Sequence, residues 1–282
     1  MIAINGTVLE ITQFPDGTPK INLCSDHVKP TCDNFVNISW HYQSMDELFT
    51  VISVVNHFYN LGVAVNLNLP YIPNARMDRT KNVSEVFTLK WFADIINQLP
   101  INRLSVFDPH SYVSEALFNR CVVITPEKII SEVINAKIPE SFNIEIDSYF
   151  FPDEGAMKRY SSILNERPFT FGVKKRDWTT GQILSLDVSG NLNHITGKNI
   201  LIVDDICSAG GTFYFSAKRL KELGANHIFL YVSHCENTLV LPKKDEKSGE
   251  AVSPIAKYDG LIDRVYTTNS IFTEKHEKVE VV

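Results

Sequence analysis

The sequence predicts an α/β protein of two tandem lobes, each a mostly parallel sheet flanked by helices. Three observations carry that reading. Short apolar runs alternate with stretches of helical periodicity along the whole chain, the pattern of strand–helix–strand units. Residues 200–203 (Ile-Leu-Ile-Val) are apolar at every position, as a buried parallel strand requires. At 282 residues, the chain is long for one such domain and comfortable for two, each able to bury a real core.

Residues 1–40 hold short strand-like runs at 3–11 and 36–40, separated by turns such as Pro15-Asp16-Gly17. Ser44-Met45-Asp46-Glu47 has capping-box spacing and opens a helix to about Asn60, with Leu48, Ile52, Val55 and Tyr59 on one face and Gly62 as its stop. Residues 63–69 return as a strand, with helices on both faces of the sheet expected. A second helix covers about 84–98, and 103–107 is the next strand. After a strand at 121–124, Thr125-Pro126 marks the expected boundary between a first domain of residues 1–125 and a second of 126–282. The second begins with a helix around 127–135 and a strand at 148–151. Pro152-Asp153-Glu154-Gly155-Ala156 then opens a helix with Lys158 and Arg159 in its first turn. A strand at 169–173 runs into Lys174-Lys175-Arg176. The polar segment after it, with Gly181, Gly190 and Asn193, has the composition of a flexible flap with cations at its base. Strands at 227–233 and 263–267 follow, with a charged surface loop at 241–255 between them.

Chemistry concentrates at 198–224. The apolar strand ends at Asp204 and Asp205, and Ser208-Ala209-Gly210-Gly211-Thr212 turns the chain into a helix carrying Phe213, Ala217 and Leu220, with Gly224 as C-cap. Backbone N–H groups of a glycine turn at a helix N-terminus cradle a phosphate, and the Ser208 and Thr212 hydroxyls add donors. Two carboxylates at a strand's C-terminal end suit ribose hydroxyls, or a hydrated Mg²⁺ that in turn holds a diphosphate. In the first lobe, Pro70-Tyr71-Ile72-Pro73-Asn74-Ala75-Arg76-Met77-Asp78-Arg79 sets two arginines in a loop at another strand's end, well placed for phosphates. The next strand ends in Asp108-Pro109-His110-Ser111, where a His can meet a phosphate or a metal-bound water. Taken singly, each of these segments also reads as an ordinary loop, a capped helix start or a solvated basic hairpin.

Charge and cysteine usage narrow the field. A net charge of -6 argues against general nucleic-acid binding. Five cysteines (Cys24, Cys32, Cys121, Cys207, Cys235) contain no CxxC pair and read as reduced thiols, not a disulfide or zinc frame. No signal peptide opens the chain and no apolar run approaches the ~18 residues of a membrane span, so no membrane partner is expected and the cytoplasm is the expected location.

Residues 203–212 resemble the phosphoribosyl-binding signature shared by type I phosphoribosyltransferases and ribose-phosphate pyrophosphokinases (PRPP synthetases). Further segments resemble the pyrophosphokinases alone. Residues 70–79 match their Pro-Tyr-x-x-x-Ala-Arg-x-Asp-Arg segment, 108–111 their Asp-x-His-[Ala/Ser], and Phe14-Pro15-Asp16-Gly17 their Phe-x-[Asn/Asp]-Gly loop. Residues 152–156 resemble Pro-Asp-x-Gly-[Gly/Ala], and Lys174 and Arg176 a Lys-x-Arg at the flap. The resemblance runs from about Phe14 to Val282 with the motifs in register.

It implies two tandem type I phosphoribosyltransferase-like domains and transfer of the β,γ-diphosphoryl group of ATP to the C1 hydroxyl of a 5-phosphorylated ribose, releasing AMP. On that resemblance Lys174 and Arg176 are catalytic, and Phe14, Asp16, Arg76, Asp78 and His110 contact ATP. Phe14 and Asp16 would do so from a neighbouring subunit, so a homo-oligomer (dimer or larger) is expected. Asp204 and Asp205 would hold ribose hydroxyls, and Ser208, Ala209, Gly210, Gly211 and Thr212 the 5-phosphate. His110 and Asp153 would steady Mg²⁺, largely through water.

The sequence also departs from the family. Its loop is usually Asp-Thr-Ala-Gly-Thr, Met77 stands where it has Gln, Thr18 where it has Glu, and both chain ends are short. Those departures leave two acceptors open, ribose 5-phosphate as the default and ADP-ribose as the variant. A PRPP-consuming phosphoribosyltransferase would explain 198–224 but give no role to 70–79 or 108–111. A regulatory, non-catalytic relative would leave Lys174 and Arg176 without a task.

Overall fold

The computed structural model describes residues 1–29, 35–164, 167–176, 183–244 and 251–282, with backbone alone at 174–176 and 183–185. Cys32, Gly181 and the middle of the charged 241–255 segment lie outside the described residues. The chain divides into two compact units, Met1–Thr125 and Pro126–Val282.

The first unit contains β1 (Ile2–Ile4), β2 (Thr7–Val8), β3 (Ile11–Gln13), β4 (Pro19–Ile21), α1 (Ser25–Val28), β5 (Phe35–Trp40), α2 (Glu47–Asn60), β6 (Ala64–Leu69), α3 (Thr88–Gln98), β7 (Arg103–Phe107), α4 (Tyr112–Leu117) and β8 (Cys121–Ile124). Its sheet runs β2-β1-β5-β6-β7-β8, with β5 to β8 parallel and β1 antiparallel to β5. β3 and β4 form a separate hairpin. The strands alternate strictly. Val36, Ile38 and Trp40, Val65, Leu67 and Leu69, and Leu104 and Val106 are buried in one cluster, which also takes Val51, Val54, Val55 and Phe58 of α2 and Leu89, Phe92, Ala93 and Ile96 of α3. The other face carries a polar ladder. Asn66 donates to Asn37 (3.2 Å), Asn102 to Asn66 (3.0 Å) and Asn68 to Ser39 (3.3 Å). Among the described residues, then, this sheet buries one face only, where helices on both faces were expected. Asn66 and Asn68 at successive outward positions of β6 are the physical reason, since a strand buried on both sides reads as a continuous apolar run.

The second unit contains α5 (Glu127–Glu132), a π turn (Val133–Lys137), α6 (Ile138–Phe142), β9 (Ser148–Phe151), α7 (Glu154–Tyr160), β10 (Phe169–Arg176), β11 (Ile183–Ser189), β12 (Ile200–Cys207), α8 (Gly211–Glu222), β13 (Ile228–Cys235), the small hairpin β14 (Lys243–Lys244) and β15 (Ala251–Val252), β16 (Arg264–Thr267) and β17 (Val279–Val281). Short 3₁₀ turns cover Asn237–Leu239 and Pro254–Tyr258. The sheet order is β11-β10-β9-β12-β13-β16-β17, all parallel but the β10–β11 pair. Here both faces are buried. Phe150, Ile200, Ile202, Ile228 and Leu230 pack with Phe213, Ala217 and Leu220 of α8. The alternate residues Tyr149, Phe151, Leu201, Val203, Phe229 and Tyr231 pack with Ile130, Val133, Ile138, Ala156 and Tyr160.

Several element ends differ from the sequence expectation. Ser44 does not close a capping box. The Glu47 carboxylate instead accepts from the Gln43 N–H (2.9 Å), Trp40 Nε1 (2.7 Å) and the chain's terminal ammonium, tying β5 to α2. The second helix starts at Thr88 because Ser84 is held in a local turn, its N–H and hydroxyl both donating to Asn82 Oδ1. The helix after Pro126 runs on through the π turn into α6. The charged C-terminal segment pairs as an edge strand on β16, with Glu280 accepting from Arg264 (3.1 Å).

Candidate functional site

Four neighbouring strands of the second sheet, β10, β9, β12 and β13 in that order, run parallel, so their C-terminal ends share one edge. Open α/β sheets bind ligands at that edge. At it stand the backbone of Lys174 and Arg176, Asp153 after β9, Asp204 to Thr212 at the end of β12, and Glu236 after β13. The side chains of Lys174 and Arg176 lie outside the described residues. Their strand is held close to the Asp153 loop by Gly172, where a Cβ would sit 2.6 Å from the Pro152 carbonyl oxygen.

The acidic pair lies inside β12, not beyond it, because the parallel pairing with β13 continues through Cys207 opposite Cys235. Asp205 is buried and pairs with Arg159 of α7, whose Nη2 lies 3.4 Å from its Oδ1. Asp204 accepts from the Asp205 N–H at 3.0 Å. Its carboxyl is pushed well above the ordinary carboxylate range, first by burial, then by the Asp205 carboxyl and by Asp153, against the pull of Arg159. Asp153 caps α7, accepting from the Ala156 N–H at 3.0 Å. Three carboxylates and one guanidinium thus crowd this edge. No cluster of three metal-ligating side chains is assembled among the described residues.

The turn after β12 is fixed from beneath. Gly210 has φ +71°, and a Cβ there would meet Tyr258 Oη at 2.1 Å and Leu239 Cδ1 at 2.8 Å. Tyr258, fully buried, donates its hydroxyl to the Gly210 carbonyl at 3.0 Å. Burial raises the phenol well above its usual pKa, so the donor proton is kept. The Gly211 position is open, with nothing within 4 Å of a built Cβ. The turn's first hydroxyl is engaged elsewhere: Ser208 Oγ donates to Glu236 Oε2 at 2.7 Å, and Thr238 Oγ1 donates to the same oxygen at 3.1 Å.

In the first unit, β6 and β7 are adjacent and parallel, Leu69 opposite Val106, so the loops that follow them lie side by side. In the first loop Ile72 and Ala75 are buried pegs, while Arg76 and Arg79 are exposed at the tip. Asp78 lies 3.8 Å from Arg79 Nε. In the second loop Asp108 is buried at φ +39°, its N–H donating to the Ile124 carbonyl (2.9 Å), and His110 follows half-buried. Phe14 and Asp16 stand on the β3–β4 hairpin. Phe14 is half exposed, and the Asp16 carboxylate accepts from the Thr18 N–H (3.0 Å) and hydroxyl (2.7 Å), which lowers its pKa. Asp16 therefore builds its own turn, whatever else it touches.

Within each unit, then, the topology groups Arg76 and Asp78 with His110, and Asp153, Asp204, Asp205 and residues 208–212 with the C-terminal end of β10. Sequence reasoning missed Tyr258, Glu236 and Thr238. Nothing local marks them, since their importance comes from β13 and a 3₁₀ turn returning beneath the glycine turn. Among the described residues no helix is long and apolar enough to cross a membrane, and Cys24, Cys121, Cys207 and Cys235 are free thiols.

Residues 156–257, within the second unit, match the phosphoribosyl transferase domain family. The chain is moreover similar to curated proteins named ribose-phosphate pyrophosphokinase. It is 29% identical over 192 residues to the enzyme of that name from Saccharolobus solfataricus, covering 67% of this chain and 62% of that protein. It is 28% identical over 240 residues to that of Pyrococcus furiosus, covering 81% and 78%. Its fold is similar to the phosphoribosylpyrophosphate synthetase of Mycobacterium smegmatis, with a TM-score of 0.72 at 22% identity over 98% of this chain and 85% of that one.

Proposed function

We propose that this protein transfers the β,γ-diphosphoryl group of ATP to the C1 hydroxyl of ribose 5-phosphate, releasing AMP. One observation carries the reading: a desolvated acidic pair runs directly into a glycine turn at the head of α8, on one sheet edge with Asp153 and the flap strand. Ribose-phosphate pyrophosphokinase is also the name of the relatives, which speaks for ribose 5-phosphate over ADP-ribose as acceptor. A PRPP-consuming transferase would use the same edge, but it has no need of the paired loops carrying Arg76 and His110.

In this mechanism the C1 oxygen attacks the β-phosphorus in line, and the bond from that phosphorus to the AMP oxygen breaks. Positioning and charge neutralisation supply most of the catalysis. Asp204 and Asp205 hold the ribose hydroxyls, and Ser208 to Thr212 hold the 5-phosphate on backbone N–H groups. Lys174 and Arg176 stabilise the charge that develops on the moving group. Arg76, Asp78 and His110 serve the ATP side, with Phe14 and Asp16 touching adenine from a second subunit. The crowding that raises Asp204 is what a divalent cation relieves, so the acidic edge suits Mg²⁺. Asp153 and His110 would each hold Mg²⁺ through water, and the chemistry such an ion would supply is neutralisation of charge on the diphosphoryl group. Free thiols suit a cytoplasmic setting.

The test supplies ATP, Mg²⁺ and ribose 5-phosphate and identifies the nucleotide product. AMP is expected; ADP would indicate a simple kinase, and no turnover would end the proposal. Lys174→Ala should lower turnover by on the order of 10²-fold with an unchanged Tm. An unaltered rate would remove the flap from the mechanism.

A further inference from the structure

The glycine turn is flanked by a feature a phosphate site would not be expected to carry. A serine hydroxyl owns one proton, and that of Ser208 goes to Glu236 Oε2 at 2.7 Å. Thr238, 3.2 Å from Ser208 Oγ, also spends its proton on that oxygen. Ser208 therefore presents lone pairs to whatever enters the turn, and a carboxylate stands one hydroxyl away. Glu236 is set in place by its backbone, whose N–H donates to the Cys207 carbonyl at 2.7 Å. Its main chain is thus tied to the end of β12, and its carboxylate is held by the Ser208 and Thr238 hydroxyls.

We infer that Glu236 tunes the affinity of the turn: it withholds the Ser208 proton and sets a negative charge beside the 5-phosphoryl group, weakening the turn's hold on a doubly charged phosphate. The inference rests on residues 208–212 being the phosphate cradle. Glu236→Gln removes the charge and places an amide that can donate to Ser208 Oγ, freeing the serine proton for the ligand. The turn keeps its other donors, the backbone N–H groups of residues 209–212 and the Thr212 hydroxyl.

The probes are inorganic phosphate and ribose 5-phosphate, titrated by calorimetry into the full chain and its variants. Glu236→Gln is expected to tighten both on the order of tenfold. Glu236→Ala, which removes the charge without supplying a donor, is expected to tighten them less. The cost of Ser208→Ala should be several-fold larger in the Glu236→Gln background than alone, a coupling that a merely structural Glu236 would not produce. Unchanged or weaker phosphate binding in both Glu236 variants overturns the inference, as does the absence of coupling. Because the titration needs no turnover, wild-type protein that forms no AMP would end the diphosphoryl-transfer proposal while leaving this result readable.

Discussion

The two sheets solve the same packing problem in opposite ways. The second buries both faces, so the middles of its central strands are apolar on both sides, and its candidate acids sit inside β12 itself. The first buries one face, and its candidate ligand groups, Arg76 and Arg79, ride on a loop pegged by Ile72 and Ala75. Exposed guanidiniums cost the fold little, whereas carboxylates inserted at the end of a two-sided strand are desolvated and crowded. The second unit should therefore be both more sensitive to substitution and the place where function works against stability.

The strongest way to break this contrast is a polar residue in the middle of the second sheet. Leu201 is fully buried, opposite Phe229 on one side and Tyr149 on the other. Leu201→Asn loses a leucine's burial and strands an amide, and should cost about 4–5 kcal/mol, read as the shift in a denaturant midpoint. A cost below about 1 kcal/mol would mean the two-sided core is not tight. Next comes Gly210→Ala, which combines a left-handed backbone with a collision against an immobile tyrosine. About 2–4 kcal/mol is expected, whereas Gly211→Ala should be tolerated for stability because its Cβ position is open. Equal effects at the two glycines would show that Tyr258 does not fix the turn.

Much of this was legible in the sequence. Strands at 103–107, 121–124 and 148–151 were delimited by apolar runs meeting polar or Pro-containing ends, and they stand where expected. The one-sided first sheet was also there to be read in Asn66 and Asn68, which a two-sided strand would not tolerate. The length of β12 was not legible, because Asp204 and Asp205 look like a strand's end until pairing with β13 is known. The Glu236–Ser208 bond was further out of reach, joining positions 28 apart through a crossover. Local chemistry announces a glycine turn, but what lies under it is set by topology.

Smaller than either of these is the effect at Asp204, and it should have the opposite sign. Its pKa is raised in the folded protein, so the folded state holds a proton that the unfolded chain has released. The stability that Asp204 contributes is therefore fully present below the ordinary carboxylate range and is lost as pH rises through the folded value. Asparagine mimics the protonated form and can still accept from the Asp205 N–H. Asp204→Asn should raise stability at neutral pH by about 1 kcal/mol, flatten that part of the pH profile and abolish sugar turnover. A variant less stable than wild type at neutral pH would place the charged form among the fold's assets.

The smallest expected effect tests the other half of the contrast. Asn66 lies mid-strand in β6, half-buried, donating to Asn37 and accepting from Asn102. Asn66→Val removes both hydrogen bonds, but each surviving partner can turn to water, so no buried group is orphaned. Valine is also the better strand residue, and the two terms oppose each other. The net change should lie within about 0.5 kcal/mol, against the several expected for the reverse swap at Leu201. A loss as large as that of Leu201→Asn would show that the ladder is sealed from solvent in the working protein. The first sheet would then be two-sided after all, with its second cover supplied from outside the unit.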